Sequence, residues 1–207
     1  MAEDIPPRSN VIQWQKTTLN RADHARLMGQ KPAVLWFTGL SASGKSTIAN
    51  LVQVRLHQAG IKTFLLDGDN LRHGLSSDLG FSASDRVENM RRVSEVARLM
   101  SDAGLIVLVA FISPFGSERE AARARMADGE FIEIFVDTSF EECARRDPKG
   151  LYRRALAGEL SNFTGLDSPY EAPSSPDIHL KTALTGAEAL ADEVVDHLKN
   201  QGLVPHG

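Results

Sequence analysis

Gly39, Leu40, Ser41, Ala42, Ser43, Gly44, Lys45, Ser46 and Thr47 follow one another in the chain and fill the template G-x-x-x-x-G-K-[ST] completely. In a strand-loop-helix setting such a stretch turns its backbone N–H groups and a helix N-terminus toward phosphate oxygens. Lys45 adds a positive charge at the β- and γ-phosphates, and the Ser46 hydroxyl is placed to hold Mg²⁺. The bland alternative, a Gly/Ser turn joining a strand to a helix, does not account for Lys45-Ser46 at this spacing. A second chemical group is the run Asp67-Gly68-Asp69-Asn70. Two carboxylates close to a phosphate loop suit the organisation of metal-bound water or acceptance of a proton from a substrate hydroxyl. The same residue types also make ordinary polar turns, and the neighbouring loop decides in favour of function.

The elements that must position these groups can be read from the pattern around them. Ala33 to Phe37 is an unbroken apolar run, as in a strand buried on both faces of a parallel sheet. Ile48, Leu51, Val52 and Leu56 then recur at helical spacing up to Gly60. Thr63 to Leu66 reads as a second buried strand, which places Asp67 and Asp69 at its carboxyl end, where ligands of parallel sheets gather. Residues 71–84 are Gly- and Ser-rich, carry Arg72, His73 and Phe81, and read as an irregular substrate loop. A helix is predicted from Asp85 to Ala103, with Arg86 and Asn89 on one face of its first turn and Arg91 and Arg92 extending the cationic supply. The alternative is a solvated face in which Asp85 and Glu88 pair with these arginines.

Leu105 to Ile112 is a third strand that ends in Ser113-Pro114 rather than in Asp. The acidic groups instead close the second strand, and no Asn-Lys-x-Asp sequence is present, which favours kinase-like arrangements over GTPases. A charged helix over 117–127 and a strand over 131–136 follow, with Thr138 and Glu141 predicted as a capping box. Arg145, Arg146 and Lys149 lead into a helix over 151–159 and a Gly-containing loop over 162–167. This reads as a lid that brings cations to a transferring phosphoryl group, or, on charge alone, as a solvated basic helix. Ile178 to Leu180 is a short fifth strand, and Thr185 with Glu188 is a second predicted capping box, ahead of a closing helix carrying Leu190, Val194 and Leu198.

At 207 residues and 42% hydrophobic, the chain suits one large α/β domain, residues 31–207, behind a polar arm over 1–30 in which Val11, Ile12 and Trp14 can pack onto the domain. A net charge of −4 argues against a general nucleic-acid or membrane-surface binder. Cys143 is the lone cysteine, the six histidines lack metal-ligand spacing, and no apolar segment of membrane length occurs. These features suit a reducing cytoplasm and give no reason for zinc or thiol chemistry.

Taken in order, Leu35-Trp36-Phe37-Thr38-Gly39-Leu40, Leu66 to Asn70, Asp85-Arg86 with Glu88-Asn89, Phe111-Ile112-Ser113-Pro114, Arg146 to Tyr152 and Phe163-Thr164-Gly165 resemble the adenylyl-sulfate kinase (APS kinase) family. The likeness runs from about Val34 to Thr182. It implies a P-loop nucleotide-kinase-like three-layer α/β domain: a mostly parallel five-stranded sheet covered by helices on both faces, with a lid at about 145–168. It also implies MgATP-dependent phosphorylation of the 3′-hydroxyl of adenosine 5′-phosphosulfate in sulfate assimilation, a homodimer, and a functional association with ATP sulfurylase. On this resemblance Asp69, Arg72, Arg86 and Asn89 bind adenylyl sulfate and Phe81 and Phe163 sandwich its adenine. Ile112, Ser113 and Lys149 complete the pocket, and Ser113 stands where family descriptions place a phosphoserine intermediate. One departure is Ala42, where the family usually has Gly; its effect depends on whether that position requires a positive φ.

The residues themselves favour direct in-line transfer, since a ternary complex aligns the 3′-oxygen with the γ-phosphorus and Ser113 has no neighbouring base in sequence. In that reading Lys45, Ser46 and Mg²⁺ hold ATP, Arg145 and Arg146 approach it, and Asp67 or Asp69 serves the acceptor hydroxyl. Two rivals are a shikimate- or gluconate-type kinase and a catalytically dead nucleotide-sensing domain. The aromatic pair Phe81 and Phe163 opposes the first, and the retained Lys45 and acidic pair oppose the second.

Overall fold

The structure, a computed structural model, describes residues 13 and 15–205; Val11, Ile12 and Trp14 lie outside them. Five strands form one parallel sheet: β1 (Ala33–Thr38), β2 (Thr63–Asp67), β3 (Ile106–Ala110), β4 (Phe131–Asp137) and β5 (Ile178–Lys181), in the order β2-β3-β1-β4-β5. Every pairing between these strands is parallel, so "mostly" understated the sheet. Ala110 lies opposite both Phe37 and Asp67, which levels the ends of β1, β2 and β3 along one carboxyl edge.

Alternation along the strands feeds two cores. Ala33, Leu35 and Phe37 of β1 pack with Ile106 and Leu108 of β3 against α2 (Lys45–Gln58) and α8 (Ala187–Asn200). Val34, Trp36, Val107 and Val109 point the other way, toward α4 (Ala83–Asp102) and α5 (Gly116–Arg123). Both faces are therefore dry along β1, β3 and β4, which read as apolar runs. The edge strands differ: β2, expected to be buried, leaves Phe64 46% exposed because no described strand covers its outer side, and β5 alternates buried Ile178 and Leu180 with exposed His179 and Lys181.

The remaining helices are short: α1 (Arg21–Met28), α3 (Gly68–Arg72), α6 (Phe140–Arg146) and α7 (Leu151–Leu156). The polar stretch before β1 is thus more than an arm. Asn20 and Asp23 form a capping box on α1, and Gln30 bonds both Lys62 O (2.8 Å) and Gly104 O (2.9 Å), tying this end to the sheet. The predicted capping boxes are displaced. Ser139, one residue beyond Thr138, caps α6 by accepting from Glu142 N, while Thr138 turns inward to donate to Ser43 O (3.0 Å). The N-cap of α8 is Gly186, with no side-chain cap. Helix α4 starts at Ala83, with Ser82 as its cap, two residues earlier than the pattern suggested.

Candidate active site

The loops after all five strands meet at the carboxyl edge, and the P-loop leaves the middle strand. Gly39 is crowded as well as twisted (φ +152°): a Cβ there would stand 2.6 Å from Val136 O, so only glycine lets the loop cross β4. Gly44 caps α2 without a side-chain bond, leaving the first-turn N–H groups free to bind anions. Lys45 is 8% exposed and donates to Leu40 O (2.6 Å) and Ser43 Oγ (3.3 Å). Burial lowers its ammonium from the ordinary 10.5 to about 8, against the pull of nearby anionic groups, among them Asp67 and Asp69. Ala42 has φ +60°, so the position where the family usually has Gly does carry the left-handed backbone. A non-glycine residue there costs about 1–2 kcal/mol.

The P-loop opens into a cavity of about 510 Å³. Arg146 crosses it, donating to Ser43 O (3.2 Å) and to Thr182 Oγ1 (3.3 Å), and Glu142 holds its Nε at 2.8 Å. Arg145 does not line this cavity: its side chain is 74% exposed and forks onto Glu142. The far end of the cavity is built by Thr182, Thr185, Gly186, Ala187 and Leu190; the sequence pattern gives Thr185 to a cap and Leu190 to a core stripe and assigns no role to the other three. The only signal for them was their place after the last strand.

Next to the P-loop, Ser46 Oγ donates to Asp67 Oδ2 (2.6 Å), and Asp67 Oδ1 accepts from Asp69 N (3.0 Å) at the start of α3. A hydroxyl and a carboxylate meeting beside a phosphate cradle fit a hard cation that takes its other ligands from phosphate and water. Among the described residues no group of three or more His, Cys, Asp or Glu side chains forms a metal cage. Asp69 has a different partner, the ammonium of Lys149.

On the β2–β3 side, Arg86 donates to Phe81 O (3.1 Å), Thr164 Oγ1 (2.9 Å) and Asn162 O (2.5 Å). It thereby fastens the Phe81 loop to the residues flanking Phe163. Phe81 is 64% exposed and lies under the Arg72 guanidinium, 4.2 Å from its centroid. Asn89 is buried with its Oδ1 unpartnered. Arg91 and Arg92 supply no free charge: both pair with Glu88, and Arg92 also holds Asp78 (2.6 Å) and Leu75 O (2.9 Å), bracing the 71–84 loop.

Ser113 is 2% exposed, with Ile112 partly buried beside it; its Oγ accepts from Trp36 Nε1 (3.1 Å) and its backbone has φ +40°. Arg119, which the sequence reading passed over inside a charged helix, holds this loop from behind. It donates to Ser113 O (2.8 Å) and Glu171 O (2.8 Å) and pairs with buried Glu133 (2.6 Å).

A wholly parallel sheet whose central strand feeds a filled P-loop, with Asp67 and Asp69 following β2 and Arg146 across the cavity, defines a P-loop protein of the nucleotide-kinase kind. Residues 31–181 match the adenylylsulphate kinase family, and the chain belongs to that family. It is 53% identical over 204 residues to an adenylyl-sulfate kinase of Vibrio vulnificus, covering 99% of each chain. It is 62% identical over 194 residues to the bifunctional enzyme NodQ of a Rhizobium species, covering 94% of this chain and 30% of that one. The chain therefore spans about a third of the length of its NodQ relatives. A solved structure of the Mycobacterium tuberculosis APS kinase in complex with AMPPNP and APS superposes with TM-score 0.79 at 51% identity, covering 82% of this chain and 99% of that one.

Proposed function

We propose that the chain transfers the γ-phosphoryl group of MgATP to the 3′-hydroxyl of adenosine 5′-phosphosulfate, giving 3′-phosphoadenosine 5′-phosphosulfate and ADP. The observation that carries this reading is the placement of Ser46, Asp67 and Asp69 beside the P-loop at the start of α3, whose last residue, Arg72, covers Phe81. A phosphate cradle lies on one side, and the Phe81 and Phe163 loops, clasped by Arg86, lie on the other. A clasped aromatic pair suits a flat adenine better than a small sugar acid. The solved relative named with APS supports the same substrate.

Each residue then has a role. P-loop N–H groups and Lys45 bind the β- and γ-phosphates, and Arg146 reaches over the nucleotide from the lid side. Ser46 and Asp67 hold Mg²⁺, which when bound offsets charge on the phosphate oxygens. Both oxygens of Asp67 are engaged, whereas Asp69 meets only Lys149 beyond the helix start, so Asp69 is the residue that takes the 3′-hydroxyl proton. The 3′-oxygen bonds to the γ-phosphorus as the bond from that phosphorus to the β,γ-bridging oxygen breaks, and ADP leaves. Arg72, Asn89, Ile112 and Lys149 line the acceptor pocket. The buried Ser113 hydroxyl, bonded to Trp36, supports a loop-setting role and direct transfer rather than a phosphoserine carrier. A homodimer, a cytoplasmic setting and functional association with ATP sulfurylase follow from the family likeness and belong to the proposal.

A coupled ADP-release assay with MgATP tests the reading, comparing adenylyl sulfate with AMP, shikimate, gluconate and no acceptor, with products identified by mass. ADP released only with adenylyl sulfate, together with a 3′-phosphorylated product, is expected. Turnover on another acceptor discards the acceptor pocket, and binding of ATP without turnover discards the kinase.

A further inference from the structure

Tyr152, in the short helix α7, touches both the P-loop and the Phe163 loop. It is 1% exposed, yet a phenol there is more than filler: its hydroxyl donates to Ser41 O at 2.9 Å, inside the P-loop. The peptide so gripped is the one that precedes Ala42, where the backbone turns left-handed. The Tyr152 ring meets Phe163 edge-on, with centroids 4.9 Å apart at 78°, and Phe140 on another side at 5.3 Å. Two residues past Phe163, Gly165 closes a second contact, since a Cβ there would lie 3.0 Å from Leu40 Cδ2 of the P-loop. Beyond it the chain of contacts runs through Thr164 and Asn162 to Arg86 and Phe81.

Tyr152 is itself anchored, since Asp147 accepts from the N–H groups of Tyr152 and Arg153 (3.1 Å each) at the start of α7. Burial raises its phenol above the ordinary value of 10.0, so the hydroxyl remains a donor throughout the working range.

We propose that Tyr152 is a positioning residue that couples nucleotide binding to acceptor binding, its hydroxyl setting the Ser41 peptide and its ring setting Phe163. The inference rests on the proposed function. Filling the phosphate loop fixes the Ser41 peptide, which fixes Tyr152 and with it one wall of the acceptor slot. By linkage the acceptor must tighten nucleotide binding by the same factor.

Calorimetric titration of the full chain with a non-hydrolysable ATP analogue, with adenylyl sulfate, and with each in the presence of the other gives that factor. It is expected to exceed 1 in the wild-type protein. Tyr152→Phe keeps the ring and loses one hydrogen bond, so it should weaken the analogue about fivefold, leave adenylyl sulfate binding to the free protein unchanged, and bring the factor toward 1. Phe163→Leu, which keeps apolar bulk but loses the aromatic edge, should lower the factor without altering affinity for the analogue alone. A purely structural Tyr152 would shift the melting temperature and leave the factor intact. A wild-type factor of 1, or either variant retaining the wild-type factor, overturns the coupling. Failure of the wild-type protein to bind adenylyl sulfate would instead overturn the proposed function.

Discussion

The two halves of the carboxyl edge are built in opposite ways. On the nucleotide side, the groups that face the cavity are held by backbone and by buried partners: Gly39 against Val136, Lys45 on Leu40 O, and Thr138 and Arg146 on Ser43 O. On the acceptor side, the side chains occupy one another: Lys149 sits on Asp69, Arg72 covers Phe81, and Arg86 spends its donors on the two aromatic loops. The first half is a preformed cradle, and the second is a set of polar contacts that substrate must exchange for its own. Nucleotide-side changes should therefore fall on turnover or on stability, and acceptor-side changes on exchangeable charge.

The largest expected break in this contrast comes from Lys45→Ala. It removes the buried charge at the phosphates and should lower kcat by about 10³ with unchanged circular dichroism. Retained turnover would remove the P-loop from the mechanism. On the acceptor side, Asp69→Asn keeps the shape and loses the proton acceptor, and kcat should fall by about 10² in steady-state assays. A rise in KM alone would make Asp69 a binding group and return the proton to Asp67.

A smaller effect tests the cradle without chemistry. With Lys45 at about 8 in the free protein and its charge restored by bound phosphates, nucleotide binding at pH 8 should take up about half a proton. Uptake should fade toward pH 7, where the lysine is already charged, and can be read by calorimetry in buffers of different ionisation enthalpy. The sign for folding is consistent. Between pH 8 and 10.5 the unfolded lysine holds the proton that the folded one lacks, so this group makes stability rise with pH across that window. The smallest effect is Ala42→Gly. Relief at φ +60°, less the extra flexibility of the unfolded chain, should stabilise the protein by about 0.5–1 kcal/mol in denaturant unfolding.

The parts that were legible in the sequence are those written in local pattern. Apolar runs marked the inner strands β1, β3 and β4, and the template gave the loop, because burial on both faces and phosphate binding both demand particular residues at fixed spacing. The strand order β2-β3-β1-β4-β5 left no such mark. Neighbouring arginines look alike in a sequence, and only the phase of α6 decides that Arg146 enters the cavity while Arg145 leaves it. Caps slipped by a residue because Thr138 and Ser139 are both competent, and a demand from the P-loop, for a hydroxyl on Ser43 O, claimed the first. Helix α1 escaped notice because it buries no side chain, being held by its cap and by polar ties at its ends. Tyr152 stood only as the end of a family motif and Arg119 only as one charge in a charged helix; their roles depend on carbonyls of distant loops.

The bond from Trp36 Nε1 to Ser113 Oγ gives the molecule an internal optical gauge. An indole buried in the middle strand emits according to what its N–H meets, and here it meets the acceptor loop. With the chain's other tryptophan, Trp14, replaced by phenylalanine, the wavelength of Trp36 emission would follow that loop in real time, without any label, through each stage of a turnover.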